Sequence, residues 1–172
     1  MISGCLMGIM LAVIAAFAVA YLKFKSLDKA VKTAWLRLDG RLKDRAQYIS
    51  PVALQAANMP DIQRPFVYHL QALKDECQHS TAIARRAAYE TEVTQKFKTV
   101  FSAARKYPQL QQDEHFLKLQ TAVTRAQARL KKAKTRYNSA VQQYNTLTST
   151  IPLNLLAQAL EFPKHEYFSL EK

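Results

Sequence analysis

The chain opens on an unbroken apolar run. From Met1 to Leu22 no side chain is charged, and Lys23 and Lys25 end the run. At about 1.5 Å per helical residue, about 20 residues cross a ~30 Å hydrocarbon core. Tyr21 stands where an interfacial aromatic belongs. The pattern predicts a transmembrane anchor over residues 1–22 and a separate domain over residues 23–172. A cleaved signal peptide would need a basic segment ahead of the apolar one, and none stands there. Ile2-Ser3-Gly4-Cys5 resembles a lipobox, but a lipobox follows an apolar region and this one precedes it. Within the anchor, Gly4, Gly8, Ala12, Ala16 and Ala20 recur at every fourth residue. Such a stripe of small side chains lets two helices approach closely, so homodimerisation through the anchor is an expectation.

Beyond the anchor the apolar positions follow helical spacing. Phe24, Leu27, Val31, Ala34, Leu38 and Leu42 recur at three- and four-residue steps, predicting a helix to about Ile49 that continues the anchor. Gly40 inside it costs about 1 kcal/mol relative to Ala. Ser50-Pro51 is expected to end or kink it. A second helix is predicted from Pro65 to Tyr107, along Leu70, Leu73, Cys77, Ala87, Phe97 and Phe101; its uneven spacing allows a break near Ala88. The third is the clearest. Asp113 is the expected N-cap, and Phe116, Leu119, Val123, Ala126, Leu130, Ala133, Tyr137, Ala140, Tyr144 and Leu147 alternate by three and four up to Ile151-Pro152. Leu153, Leu155, Leu156 and Leu160 follow as a short apolar cap. The seam uses Ala and Tyr as often as Leu, which suits packing inside one molecule rather than an intermolecular coiled coil. The expected fold is all-α: an N-terminal transmembrane helix continuing into an antiparallel up-down bundle of three to four long helices.

Several segments are similar to the LemA family. They are Tyr107-Pro108-Gln109-Leu110, Phe116-Leu117-Lys118-Leu119-Gln120, and the paired Tyr137-Asn138 and Tyr144-Asn145 followed by Pro152-Leu153-Asn154-Leu155-Leu156-Ala157. Ala34-Trp35 with Leu42-Lys43-Asp44-Arg45, and the closing Glu166-Tyr167-Phe168, fit the same pattern. The resemblance implies a membrane-anchored bacterial protein built as an all-α bundle, with a poorly defined biochemical role. The chain departs from the pattern at Ile49-Ser50-Pro51-Val52, at Met59-Pro60, and in having no acid between Glu114 and Glu161.

Composition narrows the chemistry. With three Gly, at 4, 8 and 40, a glycine-rich phosphate loop is excluded. Two distant Cys exclude a disulfide framework or a Cys-rich zinc module. Glu76-x-x-His79 places two metal-ligand types on one helical face, but bundle di-iron sites need a second copy and further carboxylates. Cys77 lies on an apolar stripe and reads as a small core residue. No catalytic, cofactor-binding or metal-binding residue is assigned, and the chain reads as a non-enzyme; a metal-binding or catalytic bundle centred on Glu76 and His79 is the alternative. The Tyr-Asn pairs read as core structure, with Asn138 and Asn145 satisfying polar groups at a helix contact.

The charge is lopsided, 25 Lys and Arg against 13 Asp and Glu, a formal +12. Arg125, Arg129, Lys131, Lys132 and Lys134 crowd the third helix without an intervening acid. They are the expected binding face for anionic lipid or an acidic protein partner. A membrane-associated nucleic-acid binder is a further alternative, but no aromatic-rich basic patch or recognition motif favours it. The expected role is a scaffold or adaptor on the bacterial cytoplasmic membrane. Lys23, Lys25, Lys29, Lys32, Arg37 and Arg41 after the span favour a domain in the cytoplasm.

Overall fold

A computed structural model of the chain describes residues 2–80 and 82–168, and the side chains of all of these except residues 2–6, 9 and 78. Gly4, first of the small-residue stripe, and the Cys5 thiol of the lipobox-like run lie outside the described side chains. Among the described residues 84% are helical and none is in a strand. The elements are α1 (Ile2–Ala46), α2 (Ile49–Ala57), α3 (Arg64–His79), α4 (Ile83–Ala104), α5 (Pro108–Gln112), α6 (Glu114–Ser149) and α7 (Leu153–Ala159).

α1 runs 45 residues without interruption, so the anchor and the first bundle helix are one rod. Its N-terminal part is long and apolar enough to cross a membrane, with a mean hydropathy of 1.7 over an 18-residue window that is 6% buried. A helix apolar on all sides, yet uncovered by its own chain, has the surface a bilayer requires. From Phe24 onward the same helix turns one stripe inward, and Phe24, Val31, Leu38 and Leu42 are fully buried. α6 lies antiparallel against it. Trp35 meets Tyr137 at 5.4 Å between ring centroids, and further along α1 Arg41 and Asp44 share a cleft with Arg129. At the start of α6 the Asp113 carboxylate accepts from the N–H groups of His115 (2.8 Å) and Phe116 (3.4 Å), the expected cap.

The structure corrects the expected elements at three points. α1 ends at Ala46, before Ser50-Pro51, and Pro51 lies inside the first turn of α2, where its missing N–H leaves no helix bond unmade. The stretch from Pro65 to Tyr107 is two helices, divided at Ser80 to Ala82 rather than near Ala88. Ser80 and Ala82 have extended backbones, which lets α4 fold back onto α3. On α6, Val141 and Thr148 are buried beside the predicted seam, because 3.6 residues per turn drifts away from a seven-residue repeat.

The core falls into two apolar clusters. One gathers α2, α3, α4 and the start of α6 around Leu70, Phe97 and Phe116. The other joins α1 to α6 around Leu38, Tyr137, Val141 and Tyr144. Charged side chains lie between them. Arg45, 1% exposed, is ion-paired to Glu90, 4% exposed, and donates to Thr94 Oγ1 at 2.8 Å. Arg86 pairs with Asp39 at 2.5 Å. Burial pushes the Glu90 carboxyl up, against the pull of Arg45 and Arg86. Burial, then Glu90, pushes the Cys77 thiol up to about 12, which makes it an inert core residue rather than a nucleophile.

Candidate functional site: a cation-lined cleft between the long helices

Where α1 and α6 run side by side, an open cleft of about 430 Å³ separates their outer edges. Five cations line it: Arg37 and Arg41 from α1, and Arg129, Lys132 and Arg136 from α6. The spacing explains the convergence. Arg37 and Arg41 are four apart and share a helical face, and Arg129, Lys132 and Arg136 follow three-and-four spacing beside the buried seam. One acid, Asp44, sits at the far end and is bonded to Arg41 at 2.8 Å. Among the described residues, Arg37, Arg129, Lys132 and Arg136 form no ion pair.

Gly40 also lines this cleft. A Cβ placed on it would meet nothing within 4 Å. Packing therefore does not require glycine there, although glycine weakens the helix. Its effect is to keep the cleft clear of a side chain. Gly40→Ala should raise the unfolding free energy by about 1 kcal/mol in a denaturant titration; a loss of stability would show that a contact with the α1 backbone needs the missing Cβ.

The five basic residues singled out from the sequence do not form one face. Arg129 and Lys132 lie in the cleft, with Arg125 one turn further along their stripe. Lys131 and Lys134 lie on the other side of the seam, around a hollow of about 330 Å³ shared with Leu130 and Phe168. Lys134 is half-buried, and burial lowers its ammonium below the ordinary 10.5. Arg37, Arg41 and Arg136 are the additions. Their signal was present as i, i+4 basic spacing, but joining the two helices requires the register at which α6 crosses α1.

The Tyr-Asn pairs hold the C-terminal segment. Asn145 donates to the His165 carbonyl (2.8 Å) and accepts from the His165 N–H (2.9 Å). Asn138 treats Phe168 the same way, at 3.1 and 2.9 Å. Tyr137 donates to the Glu166 carbonyl at 2.8 Å. Two amides, two helical turns apart, thus clamp backbone groups three residues apart in a segment without regular structure. The His165 ring meets Tyr144 edge-on at 4.5 Å and Asp28 at 2.9 Å, which ties the segment to α1.

Glu76 and His79 line a separate open hollow of about 500 Å³ with Asp75 and Arg85. His79 Nδ1 lies 2.9 Å from the carbonyl of Asp75 on its own helix, and Glu76 faces the Tyr89 phenol, raising its pKa. Among the described residues no group of three His, Cys, Asp or Glu could hold a metal ion. The anchor stripe is partly used within the chain: Gly8, Ala12 and Ala16 are exposed, while Ala20 is half covered.

The profile of the LemA family matches residues 34–172, most of the chain. The chain belongs to the LemA family. No curated protein matches it. The LemA match begins one turn before Arg37, so it takes in both walls of the cleft and both Asn clamps, and it leaves out the apolar part of α1.

Proposed function

We infer that this LemA-family chain is a non-enzymatic scaffold of the bacterial cytoplasmic membrane, anchored by α1, whose bundle holds an acidic protein partner in the α1–α6 cleft. The observation that carries the reading is the convergence of five cations on an open groove that Gly40 lines without a side chain of its own. Arg forks suit the bidentate carboxylates such a partner would offer.

Height above the bilayer favours a protein partner over the lipid around the anchor. Arg37 stands 15 residues beyond Leu22, or about 22 Å along a helix rising 1.5 Å per residue. Arg41 stands about 28 Å away by the same measure. Screening at physiological salt acts over ~8 Å. The last third of α6, residues 137–149, which lies nearest the membrane, carries no charge. The Lys and Arg residues that follow the span support a domain facing the cytoplasm.

The test uses the full chain in nanodiscs of zwitterionic lipid, with a short poly-glutamate peptide as probe. The peptide should bind in a salt-sensitive way. Reversing Arg37, Arg129, Lys132 and Arg136 to Glu should weaken it by roughly 100-fold without loss of helicity. Gly40→Phe should weaken it too, by filling the cleft. Binding that survives both changes would refute the assignment.

A further inference from the structure

The membrane-proximal end of the bundle exposes apolar side chains that no other described part of the chain covers. Along α1, the side chains from Met10 to Val19 are all exposed, and Ala20 is the first that the bundle half covers. That change marks where the bundle meets the end of the apolar span.

Two aromatic contacts place α7 at the same level. The Phe162 ring lies 6.1 Å from Tyr21 and stacks on Phe24 at 5.2 Å. The Phe162 N–H donates to the Ala157 carbonyl at 2.9 Å, which fixes α7 beside these rings. α7 buries Ala157 inward and turns Leu155 outward, 65% exposed. Ile151, in the turn that precedes it, is 80% exposed, and Leu160 and Leu22 are exposed as well. Lys23, Lys25 and Lys164 are exposed near this group in sequence, the residue type that pairs with lipid headgroups.

We propose that Ile151, Leu155 and Leu160 form a bilayer-contacting foot, inserted at the headgroup–acyl boundary of the membrane that α1 crosses. The covalent anchor holds this patch at the level where an acyl layer begins, so the bilayer is the apolar phase already beside it. A short element with an apolar outer face and basic neighbours has the composition of an interfacial segment. The foot attaches the bundle to lipid at a second point and fixes which side of α1 faces the surface.

The experiment uses the full chain in nanodiscs whose lipids carry bromine high on the acyl chains, which quenches tryptophan on contact. Leu155→Trp and Leu160→Trp are made singly at exposed positions. Trp35, the only native tryptophan, is the internal reference. It lies 13 residues past Leu22, about 20 Å beyond the span. The introduced tryptophans should emit at short wavelength and lose at least half of their intensity to brominated lipid, while Trp35 is unquenched. Long-wavelength, unquenched emission at both positions would overturn the proposal. So would short-wavelength emission without quenching, which would mean that protein, such as a second copy, covers the face.

Discussion

Replacing Arg45 with Met is expected to lower the unfolding free energy of the bundle by about 3–5 kcal/mol. Arg45 is almost fully buried, its guanidinium is ion-paired to Glu90, and the Phe97 ring lies 5.3 Å from its central carbon. Removing it leaves the Glu90 carboxylate in a low-dielectric interior with no direct counter-ion. Glu90→Leu should cost a similar amount, for the mirror-image reason. The double variant Arg45→Met/Glu90→Leu should recover most of the loss, because no charge is then stranded and two apolar side chains fill the space. Urea unfolding of the full chain in nanodiscs, followed by circular dichroism, reads all three. A double variant no more stable than either single one would mean that the layer is held by its links to Thr94 and the backbone of Glu90 rather than by the pairing of charges.

The second large effect concerns the C-terminal segment. Asn138→Ala with Asn145→Ala removes four hydrogen bonds. At about 1 kcal/mol net per bond, that is roughly 4 kcal/mol of local stability, or roughly a thousandfold in opening. Hydrogen exchange reports it directly, since the amides of His165 and Phe168 are the donors in two of those bonds. Exchange at these two amides should rise by that order while amides in the middle of α6 keep their protection. Unchanged exchange would place the holding force in the Phe168 and Phe162 side chains instead. Acid should loosen the same segment. Burial alone would raise the Asp28 carboxyl, but Lys32 at 2.6 Å and His165 at 2.9 Å outweigh it and hold the pKa below 3.8. A lowered carboxylate pKa gives stability that is fully present above the unfolded value and lost as pH falls through the folded one. Asp28→Asn should therefore weaken the segment at neutral pH, and its difference from the parent chain should shrink as pH falls below 3.8 and through the lower folded value.

Much of the fold was legible in the sequence because it rests on local periodicity. The apolar run, the stripe from Phe24 to Leu42, the Asp113 cap and the seam of α6 each declare themselves within a few helical turns. The break at Ser80 to Ala82 was harder to read, since no Gly or Pro marks it. Val141 escaped because strict three-and-four counting follows a seven-residue repeat that a nearly straight helix does not keep. The candidate site was half legible. Arg129 and Lys132 stood out by density of charge, but Arg37 and Arg41 lie about 90 residues earlier and meet them only through the antiparallel register. The role of Asn138 and Asn145 was out of reach for the same reason. Their partners are backbone groups, and a backbone acceptor leaves no mark in a sequence.

The unbroken course of α1 has a mechanical consequence. No hinge separates the apolar span from the wall of the cleft, and Phe24, Val31, Leu38 and Leu42 lock that wall into the bundle. With the span in a bilayer, as proposed, apolar span and cleft therefore tilt together as one rigid body. Transmembrane helices tilt by about 20° on average, and at a height of about 25 Å such a tilt swings Arg37 and Arg41 sideways by roughly 8 Å. In that proposed setting, bilayer thickness, through the tilt it imposes on the span, would set where in the plane above the membrane the cleft is presented.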